Sequence, residues 1–194
     1  MNQMAEQNIR VFDSLFLNPI LTISDIIAIV SLLTVIAGGI FALQKWTWSQ
    51  KIKRAEFIDI LTSRIRTDEA IRDTIYLFDY DKNWYSEEFH SGGHIEKNVD
   101  ETLSYYSYIC YLKEKKLLKK REFDFFEYEL ERIIHNEQTQ DYLFNLYHFS
   151  QKIGRPMSFH HLLQYAKKEK LLYKDFFDKD KCLQDGVFHQ YLNI

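Results

Sequence analysis

Eighteen consecutive residues without a charge, IIAIVSLLTVIAGGIFAL from Ile26 to Leu43, constrain this chain more than any other feature. As a helix they extend roughly 27 Å at about 1.5 Å per residue, close to the hydrocarbon thickness of a bilayer. The run is apolar on every side, so a helix built from it has no polar face for water. A cleaved signal peptide fits poorly. The run starts late, lacks a basic region before it, and is followed by the bulky Gln44-Lys45-Trp46 rather than a small-residue cleavage site. A transmembrane helix is expected, with Asn18-Pro19 and Ser24-Asp25 as N-cap patterns and Lys45, Trp46 and Trp48 as cationic and aromatic interfacial anchors.

Orientation follows from basic residues: Lys45, Lys51, Lys53 and Arg54 lie after the run and Arg10 before it. That asymmetry places the C-terminal part in the cytoplasm and residues 1–25 outside, a single-pass inner-membrane arrangement with 26–48 as span and anchor. Within the run Thr34, Gly38 and Ala42 recur every four residues, with Gly39 beside them. Small residues at this spacing let two helices approach closely, so a homo-oligomer packed through them is one reading, and the general abundance of small residues in membrane helices is the other.

Only 6 Gly and 2 Pro among 194 residues, against 15 Phe and 13 Tyr, favour long helices with a real core. The predicted fold class is all-α: one transmembrane helix, then a cytoplasmic bundle of about five to six helices over 49–170, and a tail over 171–194. A net charge of −3 makes nucleic acid an unexpected partner for the whole chain. Cys110 and Cys182 have neither metal-type spacing nor the numbers for a disulfide framework, which suits a reducing compartment.

Phe57, Leu61 and Ile65 predict a first amphipathic helix ending near Arg66, and Thr67 reads as the cap of a short second helix with Ile71, Ile75 and Phe78 buried. From Asp79 to Gly93 no period is visible, and a loop is expected. Val99, Leu103, Tyr106 and Cys110 mark a long helix from about Ile95 to Leu118, its basic end suiting the negative pole of the dipole. Phe123, Phe126, Leu130 and Ile134 mark a fourth helix. Tyr142, Leu146, Phe149 and Ile153 mark a fifth between Asn136 and Gly154, and Ser158 is the expected cap of a sixth. The tail has no convincing period and reads as short docked turns or a mobile end.

The segments QKWTWSQKIKRAEFIDIL, RTDEAIRDTIYLF, VDETLSYYSYICYLKEKKLLKK and FDFFEYELERIIHNEQTQDYLFNLYHF occur in this order between the membrane run and Phe149. The arrangement resembles the domain-of-unknown-function 4760 family, short bacterial proteins with an N-terminal membrane helix and a helical cytoplasmic domain. The resemblance implies an architecture and carries no catalytic residues with it.

Four motifs invite chemistry. Asp79-Tyr80-Asp81-Lys82-Asn83, with Glu87 further on, opens like a calcium loop. Trp84 and His90 then stand where glycine and a bidentate glutamate are needed, so a solvated acidic loop is expected. His90 and His94, with Glu96 or Asp100, have ligand chemistry but no helical HExxH spacing, and exposed loop histidines are the expectation. Arg155-Pro-Met-Ser-Phe-His160 has the R-x4-H form and resembles the HEPN ribonucleases, in which His160 would transfer a proton and Arg155 stabilise phosphate charge. Pro156 pushes Arg155 to extended backbone, so a turn and helix start are expected instead. KEKKLLKKR, residues 113–121, reads as a solvated helix end, with contact to anionic lipid headgroups as the alternative.

These motifs are fragments, so no catalytic residue, metal or cofactor is expected. The leading expectation is a membrane-anchored, non-enzymatic interaction module in contact with the lipid bilayer and an unidentified protein partner or a second copy. The alternatives are a membrane-perturbing effector in stress response or phage defence, and a HEPN-like ribonuclease.

Overall fold

The computed structural model describes residues 22–80, 83–86 and 89–178, and divides into two units, Met1–Ala55 and Glu56–Ile194. Among the described residues there are six α-helices, one 3-10 turn and no strand. The helices are α1 (Ile23–Thr67), α2 (Glu69–Tyr80), α3 (His94–Glu114), α4 (Lys120–His135), α5 (Glu137–Ile153) and α6 (His160–Lys168), with the 3-10 turn at Phe89–Ser91 between α2 and α3. The all-α expectation holds.

The start of α1 is a reciprocal cap. Thr22 donates its hydroxyl to Asp25 Oδ2 at 2.6 Å, and the Asp25 amide donates back to Thr22 Oγ1 at 3.3 Å. The cap is therefore Thr22 rather than Ser24, while Asn18-Pro19 lies outside the described residues. At the other end, Thr67 donates its hydroxyl to the Ser63 carbonyl of its own helix at 3.0 Å. It is Asp68 that caps α2, its Oδ1 accepting from the amides of Ala70 and Ile71 at 3.1 and 3.4 Å. Asp68 stands one residue nearer the orphan amides than Thr67, and its carboxylate suits the positive end of the helix dipole.

In the second unit α3 is central and packs against α2, α4 and α6. Its expected stripe of Val99, Leu103, Tyr106 and Cys110 is buried, and so are Thr102, Tyr105, Ser107, Ile109 and Leu112, because neighbours cover it on several sides. Around it lie Ile71 and Phe78 of α2, Phe123, Phe126, Leu130 and Ile134 of α4, and Leu162 and Ala166 of α6. Burial pushes the Cys110 thiol up to about 12, so it packs as a small apolar group. Leu61 of α1 is buried, and Phe57 and Ile65 pack beside the same core.

Helix α3 stops at Glu114, four residues short of the expected Leu118. The Leu117 amide donates to the Leu112 carbonyl at 2.9 Å and the Lys116 amide to the Lys113 carbonyl at 3.0 Å, with Lys116 in the left-handed region at φ 57°. This is a Schellman ending with lysine where glycine is usual. Helix α6 ends the same way, with Lys170 at φ 59° and the Leu171 amide on the Ala166 carbonyl at 2.9 Å. Only α5 uses the expected glycine: Gly154 has φ 65°, and Asn136 caps the opposite end through a 2.9 Å bond from the Thr139 amide. Ser158 does not cap α6, which begins after Phe159 without a side-chain cap.

On α5 the expected stripe is only partly right. Tyr142 is buried, but Leu146 and Phe149 are partly exposed and Ile153 is exposed, while Gln140, Phe144, Asn145 and His148 are buried. The cause is the chain after α6. Gln140 accepts from the Tyr173 amide at 2.9 Å, and a ring nitrogen of His148 meets the Phe176 carbonyl at 3.0 Å. Phe176 is fully buried beside Phe144. Residues 171–178 thus dock as short turns and bury a polar face of α5 by hydrogen-bonding it.

Candidate functional site

The membrane candidate is the first part of α1. Among the described residues one helix is long and apolar enough to cross a membrane, and none of its most apolar eighteen residues is buried. Thr34 donates its hydroxyl to the Val30 carbonyl at 2.9 Å, so its polar group is satisfied within the helix. A Cβ added at Gly38 or Gly39 meets nothing within 4 Å. Thr34, Gly38, Gly39 and Ala42 are exposed, as are Lys45 and the rings of Trp46 and Trp48, at 62% and 66%.

The loop expected to be solvated and acidic builds core instead. Trp84 and Phe89 are buried, their rings 5.2 Å apart, against Phe78 and Tyr142. Asp79 belongs to α2 and pairs with Arg132 of α4. Asp81 and Glu87 lie outside the described residues, so the calcium-like pattern reduces here to a helix end and an aromatic turn.

The two loop histidines separate. His94 is exposed at the start of α3, whereas His90, expected to be exposed, is half-buried among Tyr85, Phe89 and Tyr142. Asn145 Nδ2 donates to the Tyr85 hydroxyl at 2.6 Å, leaving that hydroxyl to donate to His90 Nε2 at 3.2 Å. The ring proton then belongs on Nδ1, which lies 3.5 Å from Glu96 Oε1. Glu96 also accepts from the Gly92 amide at 2.6 Å, and Tyr142 donates to Asp100 Oδ1 at 2.6 Å. Burial holds His90 below the ordinary histidine range, with Glu96 opposing, and holds Asp100 above the ordinary carboxylate range, with the Tyr142 hydrogen bond opposing. Among the described residues no three His, Cys, Asp or Glu side chains are grouped to hold a metal ion.

The cluster was half legible. Glu96 and Asp100 fall one helical turn apart on α3, so their shared face with His90 was within reach of the sequence. Tyr85, Tyr142 and Asn145 were not, because hydrogen-bonding tyrosines and apolar ones look alike in a pattern. The cluster's bonds tie Tyr85, His90 and Gly92 to α3 and α5.

Arg155 and His160 are both exposed, the first just after Gly154 with its amide on the Ser150 carbonyl at 3.0 Å, the second at the first position of α6. His160 packs edge-on to His161, which bonds Glu114 at 2.9 Å. No hydrogen bond or cation–ring contact is seen between Arg155 and His160.

The basic stretch 113–121 divides between two helices and the turn joining them. Lys113 lies over the rings of Phe123 and Tyr165, at 3.8 and 4.4 Å, and Lys115 pairs with Glu114 at 3.2 Å. Lys116, Lys119, Lys120 and Arg121 are exposed, and Leu118 is buried. The reading of one solvated helix end is thereby corrected: Lys120 and Arg121 open α4, at the pole of its dipole that disfavours cations by about 0.3–1 kcal/mol each.

Comparison of the chain with protein-family models, with curated proteins and with solved structures finds no match in any of the three.

Proposed function

We propose that this chain is a membrane-anchored, non-enzymatic helical module, held in the inner membrane by 26–48 with its helical domain in the cytoplasm, that works through contact with a protein partner or a second copy of itself. The observation that carries the reading is the exposure of every residue from Ile26 to Leu43 in a chain that elsewhere builds its own core. A contiguous apolar surface of that size calls for lipid or a partner to cover it. The basic residues after the run support the orientation, and the architecture resembled by the domain-of-unknown-function 4760 family is part of the same proposal.

The non-enzymatic half is supported by what the candidate groups are bonded to: His90 to Tyr85, Asp100 to Tyr142, Asp79 to Arg132. Each is committed to holding the fold.

The test uses the full chain in membranes with Cys182→Ser and a cysteine introduced at Ala42. Oxidative crosslinking to a dimer is expected, and Gly38→Ile should reduce it several-fold, since a branched side chain there forces two backbones apart. Nothing within the chain crowds position 38, so the variant should fold normally. No crosslink at Ala42 or at Thr34 would remove self-association. Loss of the cellular phenotype in Arg155→Ala/His160→Ala, with protein level unchanged, would overturn the non-enzymatic reading and promote the nuclease.

A further inference from the structure

Helix α4 carries a row of large exposed residues on its outer face, with the Arg132 guanidinium over the Tyr128 ring at 5.6 Å. Arg121, Phe125 and Tyr128 fall at i, i+4 and i+7, one face of a helix, and Phe125 and Tyr128 are 65% and 69% exposed. At the N-terminal end of that face the turn after α3 presents Leu117, 51% exposed, between Lys116 and Lys119. From 114 to 128 the exposed charges are Lys115, Lys116, Lys119, Lys120 and Arg121 against the acids Glu114, which pairs with Lys115 at 3.2 Å, and Asp124. The full chain has net charge −3, so this is a local reversal of sign.

Helix stability does not ask for these residues. Lys120 and Arg121 sit in the first turn of α4, where the dipole opposes cations, and the Lys119 amide is already satisfied by Glu122 at 2.7 Å. Exposed Phe and Tyr gain nothing from water. Cations bracketing large apolar and aromatic side chains on one helix face are the pattern of a helix lying in a membrane interface, with rings at headgroup depth and basic groups on lipid phosphates.

We propose that the α3–α4 turn and the outer face of α4, from Lys116 to Tyr128, dock on an anionic lipid surface. A polynucleotide would engage the cations but leave Leu117 and Phe125 unused, and the acidic chain would repel it. A second copy meeting this face by two-fold symmetry would bring Lys119, Lys120 and Arg121 against their own equivalents. Anionic lipid satisfies both halves of the patch. The proposal rests on the membrane reading above, because a tethered domain meets the lipid surface at high effective concentration.

The test places the full chain, with Cys182→Ser, in nanodiscs of phosphatidylcholine alone or of phosphatidylcholine with phosphatidylserine. A nitroxide label at Asp124→Cys reports the patch, and one at Ile40→Cys reports the anchor. Adding phosphatidylserine should shield the Asp124 label several-fold from an aqueous relaxing agent, and Lys119→Gln/Lys120→Gln should abolish that shift while the Ile40 label stays in the hydrocarbon. A label at Asp124 equally exposed in both bilayers overturns the proposal. So does shielding that appears only when RNA is added or only as protein concentration rises, which would assign the face to those partners. An Ile40 label found in water would sink the anchor alone, and the patch is then judged by the same Asp124 reading with the chain added to vesicles.

Discussion

Tyr105 of α3 donates its phenolic proton to the Leu61 carbonyl of α1 at 2.5 Å, while the next residue, Tyr106, buries its hydroxyl with no hydrogen-bond partner among the described residues. Two adjacent tyrosines on one helix thus carry opposite expectations. Tyr105→Phe should destabilise the helical domain by about 1 kcal/mol, the usual net worth of a buried hydrogen bond. Tyr106→Phe should leave stability unchanged or raise it by about 1 kcal/mol, since it removes only an unsatisfied group. Hydrogen exchange of the full chain separates the two: the amides of 56–67 should exchange faster in the first variant and no faster in the second. The reverse order would show the Tyr105 bond to be inconsequential.

Lys170 holds the left-handed turn that ends α6, at φ 59°, a conformation that glycine adopts without the penalty of a Cβ. Lys170→Gly should therefore stabilise the domain by about 0.5–1 kcal/mol, net of the greater freedom glycine gives the unfolded chain. Thermal unfolding of the two proteins side by side checks it, and a lower midpoint for the glycine variant would mean that the lysine side chain holds the turn.

The lysine-ended helices mark where sequence reading stops. The apolar stripes of α3 and α4 were legible because each buries residues at helical spacing, that of α2 only in part, since Thr74 is buried and Ile75 half-buried, and the end of α5 was legible because Gly154 names it. At Lys116 and Lys170 the backbone turns without any residue that announces a turn, so the sequence pattern carries α3 past its end and runs the cations of α4 into it. The His90 cluster is the complementary failure. Trp84 and Phe89 offered no period because a loop packs by side-chain size rather than by repeat, and the buried amide of Asn145 reads in sequence as a polar face.

His90 carries a pH dependence of definite sign. Its folded pKa lies below the ordinary 6.5 because burial outweighs the attraction of Glu96, so unfolded chains take up the proton first as pH falls, and stability is lost below about pH 6.5. Asp100, raised by burial above 3.8 with Tyr142 opposing, works the other way: its contribution is complete below 3.8 and is lost as pH rises through its folded pKa. Glu96, Asp100, Tyr85 and Tyr142 face the ring, and none of them is altered in His90→Gln. The stability lost by that variant between about pH 7.5 and about pH 5 should be smaller than the wild type's, whatever its absolute level. Parallel pH profiles would show that His90 keeps its ordinary titration.

The last expectation concerns the segment after α6, where Phe176 is fully buried against Phe144 and Tyr147 and its carbonyl meets the His148 ring at 3.0 Å. Removing a buried aromatic ring leaves both lost transfer energy and a cavity, typically about 3–5 kcal/mol for Phe→Ala. The cost at Phe176 should fall at the lower end of that range, because the segment is short and can lift away from α5 rather than keep an empty space. Lifting would also expose Gln140 and His148, which the segment now satisfies. Phe176→Ala should therefore raise hydrogen exchange in 140–148 and in 171–178 together, leaving α2 and α4 near wild type. Phe176→Leu, which keeps most of the volume, should restore much of the protection. Uniform loss of protection across all helices would instead make residues 171–178 an integral layer of the core, and unchanged exchange at 140–148 would mean that α5 does not depend on them.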